Sequence, residues 1–142
     1  MRYILCVVCV AWVAVAASAD EPPYTEGSVM EMTFVKVKAG GSQEYMKFLA
    51  TQWKAFNEAA KKEGLIVSYH VISSTAVNRD DWDLVLVVEY KNMAALDGLE
   101  SKLRPLLEKQ AGSMAKAEEQ AGKRGEIREI IGSKLGRELL LK

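Results

Sequence analysis

Apolar and polar positions alternate with a period of two over residues 29–38. Met30, Met32 and Phe34 are interleaved with Glu31, Thr33 and Val35. Successive side chains of a pleated strand point to opposite faces, so this period predicts a strand. Ala39-Gly40-Gly41 ends it. From Ser42 the spacing changes to three and four. Tyr45, Phe48, Leu49, Phe56, Ala59 and Ala60 then share one face of a helix reaching about Glu63. Trp53 lies at the margin of that face. Lys47, Lys54, Lys61 and Lys62 fall mainly on the wet side. Ser42 is the expected N-cap, Glu44 suits the positive end of the helix dipole, and Gly64 is the expected stop.

A second strand is predicted over 65–73, rich in β-branched residues. A polar connection follows, with the turn-like run Asn78-Arg79-Asp80-Asp81. The third strand, 82–90, contains Leu84-Val85-Leu86-Val87-Val88, apolar on both faces. That continuity predicts a central strand covered on two sides. Asn92 is placed to cap a second helix with the stripe Leu96, Leu99, Leu103, Leu106 and Leu107. Pro105 is expected to kink that helix or start a new segment. Residues 110–124 are read as partial helix with a solvated surface. A fourth strand follows at 126–131, and a short apolar stretch at 137–142. The order βαββαβ predicts an α+β domain: a four-stranded antiparallel sheet with two helices on one face. Such a layer covers only one side of the third strand. Something else must cover the other.

The first residues change the picture of compartment. Arg2 precedes an uncharged apolar run, Ile4 to Ala17, and Ala17-Ser18-Ala19 has the small-x-small form of a cleavage site. Residues 1–19 read as a signal peptide, 20–27 as a flexible leader with Pro22-Pro23, and 28–142 as one domain. The run is shorter than the roughly 20 residues a spanning helix needs. The expectation is export to a periplasm or the cell exterior, with no stable membrane anchor after cleavage. Cys6 and Cys9 both fall inside the signal, so the mature chain would have neither disulfide nor thiolate chemistry. With 19 basic and 19 acidic side chains, no basic surplus points to nucleic acid.

The strand 29–38 with Gly40-Gly41, the strand 82–90 running into Lys91-Asn92-Met93, and the tail Ile127-Arg128-Glu129-Ile130 resemble the dimeric α/β barrel (ferredoxin-like) superfamily. That superfamily includes the antibiotic-biosynthesis monooxygenases. The resemblance implies a homodimer in which two sheets close face to face. Val85 and Val87, or Leu84 and Leu86, would meet across the interface, and 137–142 would pair with the partner. It also implies two activities to weigh, a cofactor-independent monooxygenase acting on a small aromatic substrate and a haem-binding or haem-degrading protein. The first strand lacks the Asn of those enzymes, so no catalytic residue is carried over.

The residues themselves give a candidate ligand site and no catalytic constellation. His70 is the sole histidine. A proton shuttle or a haem ligand competes with an ordinary hydrogen-bonded sheet histidine. Haem is accordingly the one cofactor left open, and no metal site is expected. Glu31, Thr33, Ser68 and His70 have parities compatible with a shared sheet face, and Asp83 and Glu89 are candidates to join it. Trp53, Trp82 and Tyr90 are candidates to flank a flat ligand, against the commoner fate of aromatics in a core. The expectation is a small-molecule-binding homodimer built around Glu31, Thr33, Ser68, His70, Trp82 and Tyr90.

Overall fold

The computed structural model describes residues 21–142; the expected signal peptide lies outside the described residues. The elements run β1 (Tyr24–Val37), α1 (Ser42–Phe48), a π-helical turn (Leu49–Trp53), α2 (Lys54–Lys62), β2 (Ser68–Ser73), β3 (Leu84–Tyr90), a 3-10 turn (Met93–Leu96), α3 (Leu99–Ala111), α4 (Met114–Arg124) and β4 (Arg128–Leu141). One antiparallel sheet has the order β2-β3-β1-β4. This is the ferredoxin-like α+β arrangement that the block order predicts. No helix among the described residues is long and apolar enough to cross a membrane.

Register decides which residues meet the helices. Val29 pairs with Tyr90, Thr33 with Leu86 and Val35 with Leu84. Paired residues share a face, and this face is the packed one. Val35, Leu84 and Leu86 pack with Tyr45 and Leu49 in one buried cluster. Val29 and Tyr90 pack with Ala60 and Ile66 in a second, which the leucines of α3 extend. The opposite face carries Met30, Met32 and Phe34 of β1, Val85 and Val87 of β3, and Ile72 of β2. No helix covers it.

The long first helix ends as its sequence predicts. Gly64 adopts φ +70°, its N–H donates to the Lys61 carbonyl and that of Leu65 to the Ala60 carbonyl. This paired return is the Schellman motif, which satisfies two carbonyls that the helix end leaves free. The helix start differs from expectation. Gly41 is the N-cap and Ser42 the first helical residue. A Cβ at Gly41 would stand 2.5 Å from the Ile127 carbonyl oxygen, so only glycine fits there. The interior turn at Leu49–Trp53 widens to π geometry. Side chains take up carbonyls in it: Asn57 Nδ2 donates to Trp53 O at 2.8 Å and Gln110 Nε2 to Gln52 O at 2.6 Å.

Four segments depart from the sequence reading. Residues 24–26 of the expected leader are the first rungs of β1, paired with Leu141, Leu140 and Leu139. The C-terminal stretch assigned to a partner strand therefore pairs within its own chain. The fourth strand spans both predicted pieces because Gly132 and Gly136 sit within the ladder, and a bulge at Ile131 absorbs the change of register. The second helix divides at glycine rather than at proline. Gly98 and Gly112, both at positive φ, flank α3, which runs through Pro105. The segment 110–124 contributes a full helix, α4, capped by Ser113 Oγ accepting from Lys116 N.

Gly41→Ala is expected to cost about 1–3 kcal/mol, the range for a forced steric insertion. Chemical denaturation of the variant against wild type checks this. An unchanged midpoint would contradict the close approach to Ile127.

Candidate functional site

Tyr90 ends β3 on the helix-facing side and is 3% exposed. Its hydroxyl donates to Glu31 Oε2 at 3.0 Å. Glu31 stands on β1 beside it because the register places it between the rungs Val29–Tyr90 and Thr33–Leu86. Burial first, then the negative charge and hydrogen bond of Glu31, push the Tyr90 phenol well above its usual range. The phenol stays protonated, and its proton is aimed at a carboxylate.

This pair forms the floor of a cleft of about 520 Å³ between the sheet, α2, α3 and α4. Phe56, Leu103, Leu107 and Met114 supply its apolar walls. Arg104 and Glu118 stand at its lining too, and Arg104 is shared with Glu108 through a 3.2 Å ion pair. An apolar cavity with a few polar groups is the usual form of a small-molecule site. The arrangement suits a flat apolar molecule carrying a hydroxyl or carbonyl group, which the Glu31 carboxylate or the Tyr90 hydroxyl can engage.

The other expected residues do not join this cleft. Glu31 and His70 were expected on one face, and the register separates them. Glu31 pairs with Val88, whereas His70 pairs with Val87, the neighbouring residue that points the opposite way. Thr33 shares the Glu31 face, and its hydroxyl lies 3.5 Å from Ser133 Oγ on β4. Ser68, His70 and Glu89 gather on the open face. Ser68 Oγ donates to Glu89 Oε2 at 2.5 Å, and His70 Nε2 lies 3.2 Å from the same hydroxyl. Serine has one hydroxyl proton and gives it to the carboxylate, so the imidazole contact calls for Nε2–H as donor. That is the reverse of nucleophile activation, where the imidazole accepts the serine proton. The Ser68 hydrogen bond holds Glu89 below the usual carboxylate range.

Asp83 serves the backbone. Its Oδ2 accepts from Val37 N at 2.7 Å, extending the β1–β3 ladder by one contact. Trp82 lies with Phe34, ring centroids 5.4 Å apart, beside the open face. Trp53 meets Tyr69 edge-on at 5.3 Å, between the first helix and the sheet. The two tryptophans and Tyr90 therefore occupy separate places and do not sandwich one ligand. Among the described residues no three His, Cys, Asp or Glu side chains are grouped to hold a metal ion.

Sequence reasoning found the polar floor of the cleft and missed its wall. Met114 and Glu118 line it from a stretch read as partial helix with a solvated surface. The signal that could have fixed the start and packed face of α4 was the N-cap Ser113 followed by Met114 and Ala117 at helical spacing.

No protein-family model matches the chain, and no curated protein matches it. Among solved structures it resembles the crystal structure of HapK from Hahella chejuensis, with a TM-score of 0.52 and 10% sequence identity over 78% of this chain and 91% of that one. At that identity the likeness is one of fold alone, and it agrees with the ferredoxin-like arrangement of sheet and helices.

Proposed function

We propose that this protein is an exported homodimer of the dimeric α/β barrel type that binds a small aromatic molecule in the cleft above Glu31 and Tyr90. The observation that carries the reading is the hydrogen bond from the buried Tyr90 hydroxyl to the exposed Glu31 carboxylate, in a cleft that Phe56, Leu99, Leu103, Leu107 and Met114 line together with Glu100, Arg104 and Glu118. A hydrogen-bonded acid–phenol pair in such a place orients a ligand better than it stabilises a core. The buried Tyr90 hydroxyl spends its one proton on Glu31, and the exposed carboxylate keeps acceptor sites free for a ligand group.

The homodimer rests on the open face. Met30, Met32, Phe34 and Ile72 lie on it together, with Ile72 51% exposed. A second copy placed sheet to sheet would cover this surface, and stable interfaces of this kind bury about 1,200–2,000 Å². Export rests on the apolar run and the Ala17-Ser18-Ala19 site. His70, on the open face, is not part of the cleft, so a haem site centred on it would lie toward the interface.

Three outcomes are expected. First, 1-naphthol, a neutral aromatic alcohol, binds the wild type, and Tyr90→Phe weakens it about five- to tenfold, the scale of one neutral hydrogen bond. Fluorescence titration reads this. No binding up to millimolar concentration, or equal binding by the variant, would remove the proposed site. Second, light scattering of the mature chain gives twice the monomer mass, and Ile72→Lys gives the monomer; a monomeric wild type refutes the dimer. Third, the raised Tyr90 pKa has a sign. The folded state favours the protonated phenol, so this contribution is complete below the ordinary phenol value near 10. It is lost as pH rises through the higher folded value. Wild type should therefore lose stability more steeply above pH 10 than Tyr90→Phe, as followed by denaturant midpoints across that range.

A further inference from the structure

Arg124 at the end of α4 and Arg128 at the start of β4 have no counterion among the described residues. The Arg124 guanidinium lies 4.4 Å from the centroid of the Phe48 ring, and that of Arg128 lies 5.9 Å from Tyr45. The two rings are themselves stacked, 5.8 Å apart and inclined by 20°. Both Nε atoms are buried without a hydrogen-bond partner among the described residues. Neither arginine enters an ion pair there, whereas the neighbouring Lys123 is held by Glu119 at 2.7 Å. Both side chains are half-buried, and a charge drawn partly out of water gains from a partner. Burial and the Arg128 charge both weaken the hold of Arg124 on its proton.

Arg124 stands where two hollows meet. One, of about 140 Å³, runs under the helices and is lined by Phe48, Trp53, Phe56 and Leu107. The other, of about 330 Å³, opens beside Lys47, Thr51 and Lys123, with Glu44 its one acidic lining residue. The π-helical turn borders both through Gln52; such turns recur at functional sites.

We propose that Arg124 and Arg128 form a binding site for an organic carboxylate, whose apolar body enters the hollow beneath Phe48 and Trp53. Each Nε–H lacks an acceptor among the described residues, and a carboxylate fork matches the donors of a guanidinium. The site is separate from the Tyr90 cleft and stands on its own observations, although Phe56 and Leu107 line both.

Calorimetric titration with 4-phenylbutanoate at low salt tests this, with 4-phenylbutanamide as its uncharged counterpart. The expected result is that the carboxylate binds at least tenfold more tightly than the amide. Arg124→Gln and Arg128→Gln should each remove about tenfold from carboxylate affinity and leave the amide unchanged. Arg124→Lys should recover part of the loss, and Tyr90→Phe should have no effect. If one glutamine variant fails to fold, the other carries the comparison. Equal binding of acid and amide, no heat up to millimolar carboxylate, or loss on Tyr90→Phe but not on Arg124→Gln would each overturn the proposal.

Discussion

The antiparallel register of β1 against β3 is the constraint on which the rest depends. It sets Val29, Glu31, Thr33 and Val35 against Tyr90, Val88, Leu86 and Leu84, and so assigns them to the helix layer. A slip of one residue would send every one of these side chains to the other face. The buried clusters around Tyr45 and Ala60 would then lose their sheet partners. Asp83 reinforces this register by joining the backbone of β1 from the start of β3, through its side chain to Val37 N and through its own N–H to Val35 O.

Once the register is set, the two faces have different tasks. The helix-facing side is mostly dry core, and the exception is the carboxylate–phenol pair that lines the cleft between the sheet, α2, α3 and α4. The open side is an apolar field of methionine, phenylalanine, valine and isoleucine, with the Ser68–His70–Glu89 group at one end. Monomeric soluble proteins seldom leave a large contiguous apolar patch in water. An interface between copies is the physical use such a face most readily has. Arg124 closes α4 and Arg128 opens β4, and Phe56 and Leu107 line both the hollow beside Arg124 and the Tyr90 cleft.

Much of this was legible in the sequence, for identifiable reasons. Period-two alternation at 29–38 and the continuous apolar run at 84–88 marked β1 and the central strand. The three- and four-residue spacing from Tyr45 to Ala60 marked the first helix, and Gly64 its end. Glu31 and Tyr90 were recognised as candidates, but their neighbours were not. Parity within one strand says which residues share a face; it says nothing of how that face matches another strand until pairing is known. His70 was therefore grouped with Glu31, from which the sheet separates it. The bulge at Ile131 and the glycines in β4 disguised one long strand as two. The run 110–124 looked solvated because its charged residues outnumber the apolar ones that pack, Met114 and Ala117 among them.

Native mass spectrometry of the mature protein from its own source tests the division of labour between the two faces most directly. The account predicts the mass of two chains with an additional small-molecule mass retained under gentle conditions. A single chain carrying nothing would contradict it, because both the covered open face and the occupied cleft would then be absent.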